Sequence, residues 1–241
     1  MEEKLERLQV RLAHSGVASR RACEKLILDG RVCVNGNVVS TLGAKVSQND
    51  EVTLDGKIVC TEEKKRYILL NKPVGLVCTR SDEKGRETVF DLLKPAFDER
   101  LYSVGRLDMF SSGALLFTND GDFAAMLSHP SAQIEKEYIV ESVEPLPRFL
   151  SRDFVHGIRI DGIFYRAISA TDINSHEMKV VLVEGKNREI RRVFENAGAK
   201  IRSLKRVRIG CVFLENLSVG SFRELSAGEV DALISLCKNK K

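Results

Sequence analysis

No two cysteines in this sequence stand in a C-x-x-C pair: Cys23, Cys33, Cys60, Cys78, Cys211 and Cys237 are spread along the chain. The four histidines, His14, His129, His156 and His176, are scattered too. This spacing argues against a zinc site and against a disulfide framework, and the thiols read as reduced ones in a reducing cytoplasm. No apolar run approaches the ~20 residues that a membrane-spanning helix needs. The first residues, MEEKLERL, are acidic and helical in pattern, unlike a signal peptide. There is no P-loop and no G-x-G-x-x-G, so neither of these phosphate-cradling motifs is present. Internal repeats and low-complexity segments are missing as well. A cytoplasmic, membrane-independent and monomeric protein is expected, with no metal and no cofactor.

Hydrophobic residues make up 43% of the 241 positions and charged residues 30%, which fits a folded chain with a sizeable core. The net charge of +4 permits nucleic-acid binding without requiring it, so the distribution of charge carries more information. Leu5, Leu8 and Leu12 form a helical stripe over 5–13, broken at Ser15-Gly16. Ser19 can cap a second helix, with Ala22, Cys23, Leu26 and Ile27 on its apolar side and Gly30 as its C-terminal cap. Short strands follow at 31–34, 52–54 and 57–59, with tight turns at Asn35-Gly36 and Asp55-Gly56. Residues 1–60 thus read as a compact α+β module. The polar run TEEKKR at 61–66 reads as a linker. Residues 67–241 alternate strand runs (67–70, 114–118, 138–141, 179–183) with helices near 121–128, 188–197 and 226–236, a second α+β domain.

In the first module Arg7 and Arg11 fall one turn apart on the first helix. Arg20, Arg21 and Lys25 lie at the start of the second, and Arg31 opens the following strand. Free N–H groups at a helix start, flanked by guanidinium forks, suit phosphates, although a solvated basic face has the same composition. In the second domain Gly105-Arg106-Leu107-Asp108 precedes a Ser-Ser-Gly turn. An Asp flanked by Arg, Gly and Ser on a loop is a candidate site carboxylate, or else half of a structural ion pair. From Glu184 to Arg208 nine Lys/Arg face three acids. There Ile190, Val193, Phe194 and Ala197 take a buried helical face, and Arg188 and Arg192 share another face open to RNA.

The stretch RLAHSGVASRRACEKLILDGRVCVNGNVV, with GAKVSQNDEVTLDGK, resembles the S-four RNA-binding domain over residues 4–57. That implies binding of structured RNA through phosphates and shape. The motifs YILLNKPVGLVCT (67–79), SVGRLDMFSSGALLFTNDG (103–121), HPSAQIEKEYIV (129–140), LVEGKNREIRRVFENAG (182–198), LKRVRIG (204–210) and FRELSAGEV (222–230) resemble, in order, the RsuA/RluB type of ribosomal RNA pseudouridine synthase. The resemblance implies a small S-four module followed by a catalytic domain with a mixed, largely antiparallel sheet and flanking helices. It implies Asp108 as the nucleophilic or covalent carboxylate, Tyr138 packed on the flipped uracil and helping to move a proton off its ring, and Arg191 paired with Asp108. Arg106 would fill the space left by the base. Lys72 and Lys136 would line the cleft, and Arg206 in LKRVRIG would meet RNA. Ser111 and Ala114 stand where Thr and Leu are common, and both keep the chemical class.

Pseudouridylation is an isomerisation and needs no redox cofactor or nucleotide. Whether Asp108 attacks the sugar, attacks the base or deprotonates the sugar stays open. Two other functions would use part of the same equipment. A non-catalytic rRNA-binding assembly factor needs the basic surfaces but not Asp108, Tyr138 and Arg191 together. A carbon–nitrogen glycosidase acting on RNA would release the base. The stretch DEKGRETVFDLL leans toward enzymes of the large subunit.

Overall fold

A computed structural model describes residues 5–60, 64–80 and 82–238. The chain is α+β and forms two compact units. One holds the residues up to Arg66 together with Phe97–Leu101 and Asn119–Gly121, and the other holds the rest from Tyr67 onward.

In the first unit, helices Leu8–His14 and Arg20–Leu28 pack with a four-stranded antiparallel sheet in the order Asn37–Val38, Val32–Val34, Val52–Leu54, Lys57–Ile58. Leu8, Leu12, Cys23, Ile27, Val32, Val46 and Val52 form its core. Both hairpin turns place two residues in succession at positive φ, 50° and 79° at Asn35-Gly36 and 50° and 78° at Asp55-Gly56. That is the twist a two-residue turn must match. The expected first helix begins later than the Leu5 stripe suggests. Glu6–Arg7 pairs as a short strand with Lys45–Val46, which pulls Leu5 out of the helix and leaves it exposed. Of the expected linker, residues 61–63 lie outside the described residues. The remainder is not free chain: Arg66 pairs with Glu99 at 2.7 Å, and Asn119 bonds both the Arg66 amide and the Lys64 carbonyl at 2.8 Å.

The second unit is built on a nine-stranded sheet. Its main path runs Ser169–Asp172, Glu177–Leu182, Lys136–Ser142, Ile201–Ile209, Ser112–Thr118, Tyr67–Lys72, Phe222–Glu224, with Val212–Phe213 and Tyr102–Val104 paired alongside. Among the described strands of this sheet Ile201–Ile209 pairs in parallel with Ser112–Thr118, and the other pairs are antiparallel. The strands YILLNK and SGALLFT read as continuous apolar runs because both faces are covered. Leu69 and Leu116 pack into a cluster with Phe123 and Leu233 of helices Gly121–Ser128 and Ala227–Lys238. Ile68, Leu70, Leu115 and Phe117 are equally buried, and Phe90 of the short Val89–Leu93 helix stands edge-on to Phe117.

Gly113 sits where the parallel pair closes. It lies opposite Arg206 with φ at 101°, and a Cβ there would run into the Arg206 carbonyl oxygen. Gly113→Ala combines backbone strain with a clash against main chain, which cannot rotate away. We expect a loss of about 3 kcal/mol of stability or outright misfolding. A melting temperature within a degree of the parent would contradict this.

Candidate active site

The Tyr102–Val104 and Ser112–Thr118 strands are antiparallel neighbours, and the connection between them carries Asp108. The loop is pinned from below. The Gly75 amide donates to the Met109 carbonyl at 2.7 Å, and the Lys72 Nζ donates to the Ser111 carbonyl at 2.9 Å and to that of Pro73 at 2.8 Å. The Glu189–Asn196 helix pins it from the side. Arg191 donates from Nε to Asp108 Oδ2 at 3.0 Å, and from Nη2 to the Phe110 carbonyl at 2.9 Å and the Ser111 hydroxyl at 3.1 Å. One guanidinium thus fixes both the carboxylate and the loop around it. Ile190, Val193 and Phe194 anchor the helix in the core, so the residue beside Ile190 can reach inward.

Asp108, Met109, Ser111, Ile190 and Arg191 wall a cleft of about 480 Å³, a size that admits a nucleobase with its sugar. Tyr138, from the Lys136–Ser142 strand, lines it and is nearly buried. Arg106, Arg188 and Arg86 line it too, along with Leu107, Ile190 and Leu204. Strand register accounts for the neighbourhood of the ring. Tyr138 pairs with Arg206, and Arg206 pairs with Gly113 on the next strand. A register shift between Glu137 and Tyr138 brings Arg206 and Tyr138 into line.

Burial pushes the Asp108 carboxyl up, but the Arg191 hydrogen bond, helped by Ser111, outweighs it and holds the group below its ordinary value. It is therefore ionised at neutral pH. Its side chain is 28% exposed and that of Arg191 14%. Oδ1 is enclosed and takes no hydrogen bond of good geometry from the described residues. Among the described residues no group of three His, Cys, Asp or Glu could hold a metal ion, and no helix is long and apolar enough to cross a membrane.

The cleft brings together Asp108, Tyr138, Arg191, Arg106 and Arg188. Other expected RNA ligands lie elsewhere. Lys72 is fully buried, spends its donors on two carbonyls beneath the Asp108 loop, and is lowered in pKa by that burial. It props the loop rather than lining the cleft. Lys136 likewise donates to the Ile134 and Val183 carbonyls at 2.9 and 2.8 Å. Burial and then the charge of Arg206 bring it down to about 8. Arg206 is buried, with Nε on the Ala114 carbonyl at 2.6 Å and Nη1 3.5 Å from the Tyr138 hydroxyl, so it backs the ring and does not face solvent, contrary to its expected place on the RNA surface. In each case a strand position that points inward overrides the basic composition of the segment. Arg192 does not line this cleft; it borders a small groove with Arg188, Asp161 and Glu195.

In the first unit Ser19 caps the second helix through the Ala22 amide at 3.2 Å, and Arg20, Arg21 and Lys25 are exposed. Arg7 is exposed too, but on the short strand rather than the helix. Arg11 is turned inward to Glu6 at 3.3 Å, and Arg31 is held in a two-pronged pair with Asp55 at 2.9 and 2.5 Å. Their charge is largely spoken for. Sequence reading passed over Asp82 and Arg86 in the cleft wall, although the D-x-x-G-R spacing of a carboxylate, a turn glycine and an arginine marks a self-bonded loop.

The profile of the RNA pseudouridylate synthase family matches residues 66–196, and that of the S4 domain residues 6–59. A Bacillus subtilis protein named ribosomal large subunit pseudouridine synthase B is 40% identical over 243 residues, covering 98% of this chain and 99% of its own length. A Borreliella burgdorferi protein named as an uncharacterized RNA pseudouridine synthase is 38% identical over 236 residues, covering 96% and 94%. A solved structure titled crystal structure of pseudouridylate synthase superposes with a TM-score of 0.68 at 29% identity, covering 94% of this chain and 99% of that one. With an S4 domain at its N-terminal end, this chain belongs to the RNA pseudouridylate synthase family.

Proposed function

We propose that this protein converts a uridine of ribosomal RNA, in the large subunit, to pseudouridine, with Asp108 as the essential carboxylate. The observation that carries the reading is the Asp108 side chain, gripped by Arg191 in a cleft that also presents Tyr138. The large-subunit assignment rests on the name of the Bacillus subtilis relative. An enzyme working on a stacked base first extrudes it, at a cost of roughly a few kcal/mol. Arg106 is exposed on the Asp108 loop, and its side chain has no partner among the described residues. It is suited to fill the vacated stack and offset part of that cost. The Tyr138 ring gives the detached base a wall to stack on while it turns. Asp108 supplies the carboxylate for glycosidic cleavage, and rejoining through carbon completes a reaction with no net redox change.

Incubation with uridine-labelled ribosomal RNA tests the proposal. Pseudouridine at a discrete large-subunit position is the expected product. Unchanged RNA would point to a binding protein, and released uracil to a glycosidase.

The S4 domain is assigned the grip on structured RNA through the exposed Arg20 and Arg21 at the start of its second helix and the exposed Lys25, which the structure places in the last turn of that helix. Replacing all three by Ala should leave the fold intact. The dependence of log K on log salt should become shallower by about two to three units, one for each phosphate no longer neutralised. An unchanged slope would remove this face from the RNA interface.

A further inference from the structure

Val77 and Thr88 face each other in an isolated parallel bridge outside the sheet, and the chain between them makes an excursion. The base of this excursion is closed by the Val77 amide on the Glu87 carbonyl at 3.1 Å and the Val89 amide on the Val77 carbonyl at 3.0 Å. Near its far end Asp82 gathers the loop around one carboxylate. Oδ2 accepts from the Lys84 amide at 3.1 Å, the Arg86 amide at 3.0 Å and the Arg86 Nε at 3.1 Å, and Oδ1 accepts from the Arg86 Nη2 at 2.6 Å. Gly85 supplies the turn at φ +65°, which a side chain would strain. The Asp82 side chain is only 6% exposed, whereas that of Arg86 is 45% exposed and stands in the wall of the Asp108 cleft. The pair with Arg86 holds the Asp82 carboxyl far below the ordinary range.

An ordinary surface pair of this spacing contributes little to stability and orients nothing. This one differs in three ways. Its acid is enclosed, its guanidinium plane is fixed by a two-pronged contact, and the Nη1 edge of Arg86 has no partner among the described residues and is open to solvent. A neutral uracil does not call for a guanidinium at the mouth of its cleft. The phosphates on either side of an extruded nucleotide do, and a planar fork suits them.

We infer that Arg86, oriented by Asp82, is a positioning residue that grips a phosphodiester of the RNA strand flanking the nucleotide in the Asp108 cleft. The inference rests on the reading of this cleft as a uridine site. Arg86 is the cation that the Val77–Thr88 segment brings to the cleft wall, alongside Arg106, Lys186, Arg188 and Arg191 from other segments. Because the guanidinium is held in place before RNA arrives, little side-chain freedom is lost on binding.

The test uses full-length protein and a stem-loop of ribosomal RNA carrying the target uridine, beside an equally long RNA without it. Binding is measured in the Asp108→Asn background, so that it stands apart from turnover. Arg86→Ala should weaken cognate binding about tenfold and make the salt slope shallower by about one unit. In otherwise wild-type protein, kcat/KM should fall through KM, with the rate at saturating RNA changing less than twofold. Arg86→Lys should restore the slope but not the cognate affinity. Asp82→Asn keeps the cation and frees it, so the slope should hold while the ratio of cognate to non-cognate affinity falls at least threefold. Unchanged affinity and slope in Arg86→Ala, a loss confined to the rate at saturation, or an intact ratio in Asp82→Asn would each overturn the inference. Wild-type protein that binds RNA in this pattern but forms no pseudouridine would instead overturn the reading of the cleft.

Discussion

Asp108→Asn is expected to fold, to bind ribosomal RNA with close to parental affinity and to form no detectable pseudouridine, a fall of at least about 10⁴-fold or about 5 kcal/mol of barrier. Asn keeps the size of the side chain and an oxygen for the Arg191 Nε bond at 3.0 Å, so the loop retains its support from Gly75, Lys72 and Arg191. What it loses is the negative charge that, in the proposed reaction, either attacks or takes a proton, and an amide does neither at this rate. The pH dependence follows from the depressed pKa. A carboxyl held below its unfolded value contributes both function and stability above that value, and both are lost as pH falls through the folded pKa. The acid limb of the parental rate profile should therefore lie below the range of an ordinary aspartate, and activity should be flat from mildly acid to neutral pH where this group alone titrates. Appreciable turnover by Asp108→Asn in a single-turnover assay would remove Asp108 from the chemistry.

Much of the candidate site was legible because the residues that form it are grouped in two short stretches of sequence. Gly105-Arg106-Leu107-Asp108 stands on one hairpin connection, and the apolar spacing of Ile190, Val193 and Phe194 fixes which way the Arg191 helix faces. The Asn-Gly and Asp-Gly turns were equally plain, since only a few residue types accept two positive φ values in succession. Strand orientation inside the sheet was not legible. The resemblance puts Lys72 and Lys136 in the cleft and Arg206 on RNA, yet none of the three lines the cleft and each donates to backbone carbonyls. A basic run gives the charge of a segment but not the parity of its strand, and parity decides which side a residue meets. The Ile201–Ile209 strand was hidden by the same charge density, and its pairing with both Tyr138 and Gly113 is a contact between residues far apart in the chain. Leu5 shows the opposite error, a helical pattern overridden when Glu6–Arg7 found a strand partner in Lys45–Val46.

Arg191 and Arg192 are adjacent in sequence, and replacing each by Ala should have opposite kinetic signatures. Consecutive helical residues lie about 100° apart, so the two cannot share a face. Arg191 reaches Asp108, the Phe110 carbonyl and the Ser111 hydroxyl with a side chain only 14% exposed. Removing it strips a half-buried carboxylate of its cation. Burial, already the largest influence on that group, then acts with far less opposition and drives the pKa upward. Three hydrogen bonds that shape the loop disappear at the same time. Arg191→Ala should therefore cut the single-turnover rate at saturating RNA by about 10³-fold or more, about 4 kcal/mol, and shift the acid limb of any residual activity to higher pH. Arg192 has no side-chain partner among the described residues and borders the groove beside Asp161 and Glu195. Without it one phosphate goes unneutralised, making the salt slope shallower by about one unit and weakening affinity, with the full rate recovered once RNA is raised. A saturating rate that collapses in Arg192→Ala and survives in Arg191→Ala would show that the ion pair to Asp108 is structural and that the other face of this helix serves the reaction.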